Sequence, residues 1–297
     1  MNILVFGGTR FFGKHLVRRL CEEGHKVTVG SRGNSPIPAE LPVEHLTLNR
    51  FEEASVRDAL GTTRSWDMVF DQICFTAGDA AITTELLEGR VGRYIHTSTL
   101  SVYEKHGELV EADFDPYTYP FDPDPAVRPF YGEGKCQAEA CYFQRAKFPV
   151  AAIRIPGVLG PNDYTGRLDF HIKHVLDGKP LVIPNPNAES CYIASTEAAD
   201  FIYWLGMQSN FTGPANACAD GRISIGDLLK IIENVSGRKA NIQSTADMGD
   251  ASPFITEESW YANNALAHQL GYAFTKLLDW LPGLIAERTA VIRSEIQ

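Results

Sequence analysis

Long apolar runs are missing from this sequence. No stretch approaches the ~20 residues that a membrane-spanning helix needs, so no membrane role is expected. The apolar start "MNILVF" is too short for a signal-peptide core and lacks a basic flank, and cytoplasmic residence is the expectation. Cysteine pairing signals are missing too. Cys21, Cys74, Cys136, Cys141, Cys191 and Cys218 are scattered without a CxxC pair, which reads as reduced, mostly buried thiols and not a disulfide framework. Positive charge is in short supply: 27 Lys and Arg stand against 37 Asp and Glu, a net charge of −10. That balance opposes a phosphate backbone, so no nucleic-acid partner is expected. There is no internal repeat and no low-complexity tract.

What is present fits an ordinary globular chain: 297 residues, 44% hydrophobic and 22% charged. That length holds one large α/β domain, or one domain with a smaller appendage. Strands are expected at 2–6, 26–30, 43–48, 67–73, 93–98 and 150–155, with helices at 14–23, 52–60, 79–89 and 132–147 between them. Strands alternating with crossover helices imply a parallel sheet covered on both faces, the doubly wound arrangement. Beyond residue 156 the pattern loosens. Helices are expected at 167–178, 195–207 and 224–237, and on either side of Pro282 in the tail 275–296, where Leu277, Leu278, Leu281 and Leu284 read as core. The segment "DFDPYTYPFDPDPAVRPF" (113–130) is too rich in proline for regular structure, and reads as a long ordered loop or a lid.

The opening "MNILVFGGTRFFGKHLVRRL" combines a strand, a glycine-rich turn and a helix in that order. Glycine at position 7 permits the tight turn, and glycine at position 13 lets the helix pack closely on the strand. A pyrophosphate would then lie against the free N–H groups at the helix start. The second strand ends in Gly30, Ser31 and Arg32, where sites specific for NAD carry an Asp or Glu for the ribose 2′-hydroxyl. A guanidinium pairs with a 2′-phosphate that a carboxylate would repel. Arg10 and Arg32 are therefore read as phosphate ligands, with NADP as the cofactor and NAD as the alternative. The fold expected is α/β, a doubly wound parallel Rossmann sheet with a small C-terminal substrate lobe. Its dinucleotide-binding domain spans 1–155 with contributions from about 180–220. Most of 156–297 forms the substrate-binding lobe and C-terminal helices.

In "PFYGEGKCQAEACYF", Tyr131 and Lys135 fall on one face of a helix start. Free tyrosine is a poor base at neutral pH, and a neighbouring ammonium stabilises the phenolate. Such a group can exchange a proton with an alcohol or carbonyl that trades hydride with nicotinamide. Upstream, "YIHTSTLSVYE" ends a strand with Ser98 and Thr99, hydroxyls placed to hold a substrate oxygen.

These stretches, together with "IRIPGVLGPND", "CYIASTEAADFIYWL" and "GPANACADGRISIGDLL", resemble the short-chain dehydrogenase/reductase superfamily in its extended, NAD-dependent epimerase/dehydratase-like branch. The similarity runs over nearly the full length. By this resemblance Thr99 matches the catalytic Ser/Thr, Tyr131 the base and Lys135 the residue that binds the nicotinamide ribose. Val158 matches a backbone contact to the carboxamide. The cofactor set it implies is Gly7, Thr9, Arg10, Phe11, Phe12, Gly13, Ser31, Arg32, Ser98, Tyr131, Lys135 and Val158. Departures from the family pattern are Arg10 for the middle glycine, as in a subgroup reading GGTR, and Asn49 where relatives carry an adenine-contacting Asp. "ICFTA" (73–77) replaces a small-residue turn and tightens the pocket. Leu100 and Ser101 stand where sugar 4,6-dehydratases have an Asp-Glu pair, which disfavours that reaction.

The function expected is an NAD(P)-dependent oxidoreductase or nucleotide-sugar epimerase working by hydride transfer. The alternative is a non-catalytic NADP-binding redox sensor or regulatory protein. The partner expected is a small-molecule substrate, nucleotide sugars included, with a homodimer left open. No metal is expected: His171 and His174 with Asp169 lack a third convincing ligand. Cys136 points away from Lys135 and reads as packed, and Glu197 reads as a structural acid.

Overall fold

In the computed structural model, which describes residues 1–297 except 105, 245–247, 255–256 and 297, the apolar runs of the first half become strands β1 (Asn2–Phe6), β2 (Lys26–Ser31), β3 (Val43–Thr47), β4 (Trp66–Asp71) and β5 (Val91–Thr99). Strands β6 (Val150–Ile155) and β7 (Gly213–Asn216) complete one sheet. Its order is β7-β6-β5-β4-β1-β2-β3, and every pairing is parallel. The helices are α1 (Phe11–Glu22), α2 (Glu53–Leu60), α3 (Ala77–Leu86), α4 (Tyr131–Arg145), α5 (Arg167–Asp177), α6 (Ser195–Met207), α7 (Ile225–Ser236), α8 (Ala265–Gln269) and α9 (Leu277–Ile296).

The two-residue period of a strand sends alternate side chains to opposite faces. In β1, Ile3 and Val5 join Leu16, Leu20, Phe201 and Ile202 under α1 and α6. Leu4 and Phe6 join Ala80, Tyr94 and Tyr142 under α3 and α4 on the other face. Burial on both faces is why β1, β2 and β6 read as nearly unbroken apolar runs. A separate core, built from Ile172 of α5, Leu228 and Ile232 of α7, and Leu281 and Ile285 of α9, forms the second lobe. No helix among the described residues is long and apolar enough to cross a membrane.

Three features depart from the sequence expectation. β7 was not foreseen; its "GPAN" carries no strand pattern, and its proline is tolerated because β7 is the sheet edge. The tail is one helix through Pro282, not two pieces. Leu278 is 59% exposed while Leu277, Leu281 and Leu284 are buried, because it lies about 100° around the helix from Leu277.

The proline-rich segment 113–130 lies along α3 and α4 as a strap. Tyr119 donates to Glu133 (2.7 Å), and Gln144 donates to the carbonyls of Pro116 (2.9 Å) and Tyr119 (2.8 Å). Arg128 donates to the buried carboxylate of Asp79 (2.7 Å) and to Thr76 Oγ1 (3.1 Å). A Cβ on Gly78 would sit 2.6 Å from Cα of Pro125, so the strap is seated on the first turn of α3. Arg128 is partly exposed, which screens the pair. Arg128→Ala is expected to cost about 1–2 kcal/mol, read as a midpoint lowered in urea with an unchanged slope. An unchanged midpoint would mean the strap is held without it.

Candidate active site and cofactor cleft

The chain runs from β1 to β2 and β3 on one side, then crosses over to β4 and β5 on the other. A crevice opens at the carboxyl ends of the strands wherever such a reversal occurs. Here a cleft of about 260 Å³ is lined by four strand-end loops: Gly7–Phe12 after β1, Ser31 to Ser35 after β2, Leu48–Phe51 after β3, and Gln72, Ile73 and Phe75 after β4.

The glycines of the first loop are required by geometry. Gly7 and Gly8 have φ of 91° and 83°, which side-chain-bearing residues rarely adopt. A Cβ on Gly13 would lie 2.9 Å from Cα of Gly8 and would collide with Oε1 of Gln72. Phe11, the first residue of α1, is itself held at φ 46°, a strained conformation of the kind that clusters at ligand sites. Arg10 caps α1 without a side-chain cap bond, so among the described residues no capping side chain covers the first-turn N–H groups, which belong to residues beside the cleft.

Thr9, Arg10, Phe11, Phe12, Ser31 and Arg32 line this cleft together with Gly7, and Gly13 lies beneath the turn. Arg10 Nε donates to Ser35 Oγ (2.8 Å), and the guanidinium lies 6.0 Å from the Tyr164 ring centre. Among the described residues neither Arg10 nor Arg32 is paired with a carboxylate. Asn34 and Ser35 join them in the lining, and sequence reasoning missed both. The Asn49 amide is turned to Glu52 (2.6 Å), at the start of α2.

The second group of residues sits where α4 begins. Tyr131 is the first residue of α4 and is 53% exposed. Its ring packs on Phe75, centroids 6.2 Å apart, and Phe75 in turn lines the first cleft. The glycines of "YGEGK" allow this approach. A Cβ on Gly132 would come within 2.8 Å of the Ser101 carbonyl, and one on Gly134 would collide with the Phe75 carbonyl. The start of α4 is thereby pressed onto the turn that follows Thr99 at the end of β5. Thr99 Oγ1 accepts from Ser101 N (3.2 Å) and is 8% exposed.

Lys135 is buried, one turn along. Its Nζ donates to the carbonyls of Cys74 (2.7 Å) and Thr97 (2.8 Å), lies 4.9 Å from the Phe75 ring centre and 6.0 Å from that of Tyr131. Its third proton has no protein acceptor among the described residues. Tyr131 and Lys135 therefore share a face, as their spacing implies, but no hydrogen bond joins them in this structure.

Of the residues expected at the cofactor, Ser98, Tyr131, Lys135 and Val158 are not among those lining the first cleft. The Ser98 hydroxyl donates to Glu139 inside the domain, and Val158 pairs with Ile193 in a two-strand ladder, outside the lining of the first cleft. Glu139 is one half of a fully buried ion pair with Arg154 (2.7 Å), which also donates to Tyr103 Oη (2.9 Å) and to the carbonyls of Glu111 (2.9 Å) and Phe114 (3.1 Å). This pair ties α4 to β6 beside Thr99. The only sequence signal was a charge inside the apolar run "VAAIRI". Arg50, likewise missed, is fully buried against Asp71 (2.9 Å), which also accepts from Tyr94 Oη (2.6 Å). The guanidinium and these hydrogen bonds hold the Asp71 carboxyl below the usual carboxylate range against the opposing effect of burial.

A smaller cleft of about 80 Å³ lies between Leu100, next to Thr99, and Arg167, Tyr192, Phe254 and Trp260 of the second lobe. The other candidates from the sequence are structural. Burial lowers His171 to about 4, and its ring nitrogens bond the Arg167 carbonyl and Ser252. Among the described residues no group of three metal-ligating side chains occurs. Glu197 accepts from the backbone and hydroxyl of Thr275. All six cysteines are free thiols, and burial raises Cys136 to about 12.

Comparison with known proteins agrees with this architecture. Residues 3–81 match the NAD dependent epimerase/dehydratase family. A UDP-glucose epimerase of Bacillus subtilis, described as uncharacterized, is 25% identical over 99% of this chain and 100% of its own length. The chloroplast stem-loop binding protein of 41 kDa b of Arabidopsis thaliana is 28% identical over 73% of this chain, and the match spans 62% of that relative's length. Among solved structures, UDP-glucuronic acid 4-epimerase of Bacillus cereus in complex with NAD superposes with a TM-score of 0.73 at 18% identity, covering 99% of this chain and 97% of that one. UDP-glucose 4-epimerase of Thermotoga maritima with UDP-glucose gives 0.73 at 17% identity, covering 100% of both.

Proposed function

We propose, from an N-terminal segment that matches the NAD-dependent epimerase/dehydratase family and a fold shared with nucleotide-sugar epimerases, that this protein is an NAD(P)-dependent enzyme of the short-chain dehydrogenase type, an oxidoreductase or a nucleotide-sugar epimerase. The observation that carries the reading is the first cleft. Its glycine turn leaves no room for a Cβ at Gly13, and its far wall, Phe75, packs directly on Tyr131.

A nicotinamide dinucleotide, when bound, supplies the acceptor and donor of hydride. The residues that would hold it are the turn Gly7–Gly13, at the positive end of α1, and Arg10, Ser31 and Arg32 at the far end. Tyr131 would remove the proton from a substrate hydroxyl at the carbon that loses hydride, and return it in the reverse direction. Thr99 would hold the same oxygen. Lys135, fixed by two carbonyls, keeps one N–H for a ribose hydroxyl or the Tyr131 oxygen. The substrate would enter between Leu100 and the second lobe, and nucleotide sugars are the class that the structural relatives favour. The free thiols fit the reducing cytoplasm.

The cofactor is proposed to be NADP. No carboxylate directly follows β2, and two guanidinium groups without a carboxylate partner among the described residues line that end of the cleft. A charge-assisted hydrogen bond is worth about 1.5–3 kcal/mol. Arg32→Ala is therefore expected to cut the preference for NADP over NAD about tenfold or more, measured by calorimetric titration. Equal affinities in the unaltered protein, or tighter binding of NAD, would overturn the NADP assignment.

A second reading follows from the stem-loop binding relative. Arg10, which caps α1, and Lys14 and Arg18 of α1 are exposed, beside His15, and line a cleft of about 240 Å³. The net charge of −10 opposes it, as does the provision of Thr99, Tyr131 and Lys135, which neither a nucleic-acid binder nor a redox sensor needs. Salt-dependent retention of a stem-loop RNA, lost in Lys14→Glu, would favour the second reading.

A further inference from the structure

Two buried donors on residues that line the first cleft have no partner among the described residues. Arg50, 1% exposed, follows β3 and lines the cleft. Its Nε and Nη2 donate to Asp71 (3.2 and 2.9 Å), and Nη2 also lies near Thr83 Oγ1 (3.2 Å) and Tyr142 Oη (3.4 Å). Its Nη1 is buried and unmet. Gln72, which follows β4 and lines the same cleft, has a buried Nε2 that is also unmet. Gln72 lies under the glycine turn: a Cβ on Gly7 would be 3.4 Å from its Cβ and 3.9 Å from its Oε1.

A buried donor without an acceptor lowers the stability of the fold, whereas an apolar side chain of the same shape does not. A leucine at 72 would fill much of the same space without that cost. Both donors belong to residues that line one cleft, and a ligand seated there would account for them. Asp71 already neutralises the Arg50 guanidinium, so the floor offers directed N–H groups and no free charge.

We propose that Arg50 Nη1 and Gln72 Nε2 form the donor floor of the dinucleotide site, recognising acceptor atoms on the inner face of the cofactor. This rests on the dinucleotide reading above. The acceptors are phosphate oxygens, ribose oxygens or ring nitrogens, and the same two groups that weaken the free protein strengthen its complex.

The test is a pair of measurements on Gln72→Leu: the thermal midpoint of the ligand-free protein, and affinity for NADPH by calorimetry. The proposal expects a midpoint equal to or above that of the unaltered protein, with NADPH affinity lower by about tenfold, the scale of one hydrogen bond. Arg50→Lys, which keeps a cation for Asp71 but lacks Nη1, is expected to weaken NADPH in the same direction. Adenosine 2′,5′-bisphosphate as a second probe locates the acceptor. A loss seen with this fragment places it on the adenosine half, and a loss seen only with NADPH places it on the nicotinamide half. Unchanged NADPH affinity in a folded Gln72→Leu protein overturns the proposal. So does a lowered midpoint with a parallel loss of affinity, which a merely structural glutamine would give. If the unaltered protein binds neither NADPH nor NADH, the dinucleotide reading falls and takes the floor with it.

Discussion

Tyr131→Phe is expected to lower turnover by ~10² or more, the scale of general acid–base catalysis, while NADP affinity stays within a few-fold. The substitution removes one oxygen from a ring that is half-exposed and packed on Phe75. Nothing else at the start of α4 depends on that hydroxyl, since among the described residues it makes no hydrogen bond. The turn Gly7–Gly13 lies on a different loop and keeps its form. Lys135→Ala is a different case. It exposes the carbonyls of Cys74 and Thr97 to a buried space with no donor, so binding, turnover and stability should all fall. Undiminished turnover in Tyr131→Phe, once a substrate is in hand, would refute the mechanism. A redox sensor, by contrast, has no turnover to lose.

The largest stability effect should come from Glu139→Ala. Arg154 is fully buried and relies on both Glu139 oxygens. Removing one partner of such a pair strands a charge, at about 3–5 kcal/mol. The chain then also loses the acceptor of Ser98 and the link between α4 and β6 beside Thr99. Urea unfolding should show a midpoint shifted sharply downward. The double variant Glu139→Leu with Arg154→Met, which removes both charges, should recover much of the loss. If the single and double variants unfold alike, the pair is not the source of the effect.

The fold was legible wherever one local pattern sufficed. β1, β2 and β6 are largely apolar because both faces of a parallel sheet are covered, and the glycines at 7 and 13 mark a tight turn with little room for a side chain. The short β7 was invisible because an edge strand made of Gly, Pro, Ala and Asn owes its place to β6 and not to its own propensity. The helix across Pro282 was misjudged because Leu281, Ile285 and Ile292 bury one face, and that packing outweighs the lost backbone bond. At the site, the residues of the turn and the Tyr131–Lys135 spacing could be read directly. Arg50 and Arg154 could not. A charge in a sequence reads as surface, and the carboxylates that let these two be buried arrive from elsewhere in the chain, Asp71 from β4 and Glu139 from α4.

The most direct test of the central claim is a crystal structure of the full chain grown with NADP. The account expects the pyrophosphate against the first turn of α1 over Gly7–Gly13, the 2′-phosphate between Arg10 and Arg32, and the nicotinamide ring directed past Phe75 toward Tyr131. A dinucleotide bound away from this cleft, or none bound at saturating NADP and NAD, would contradict it.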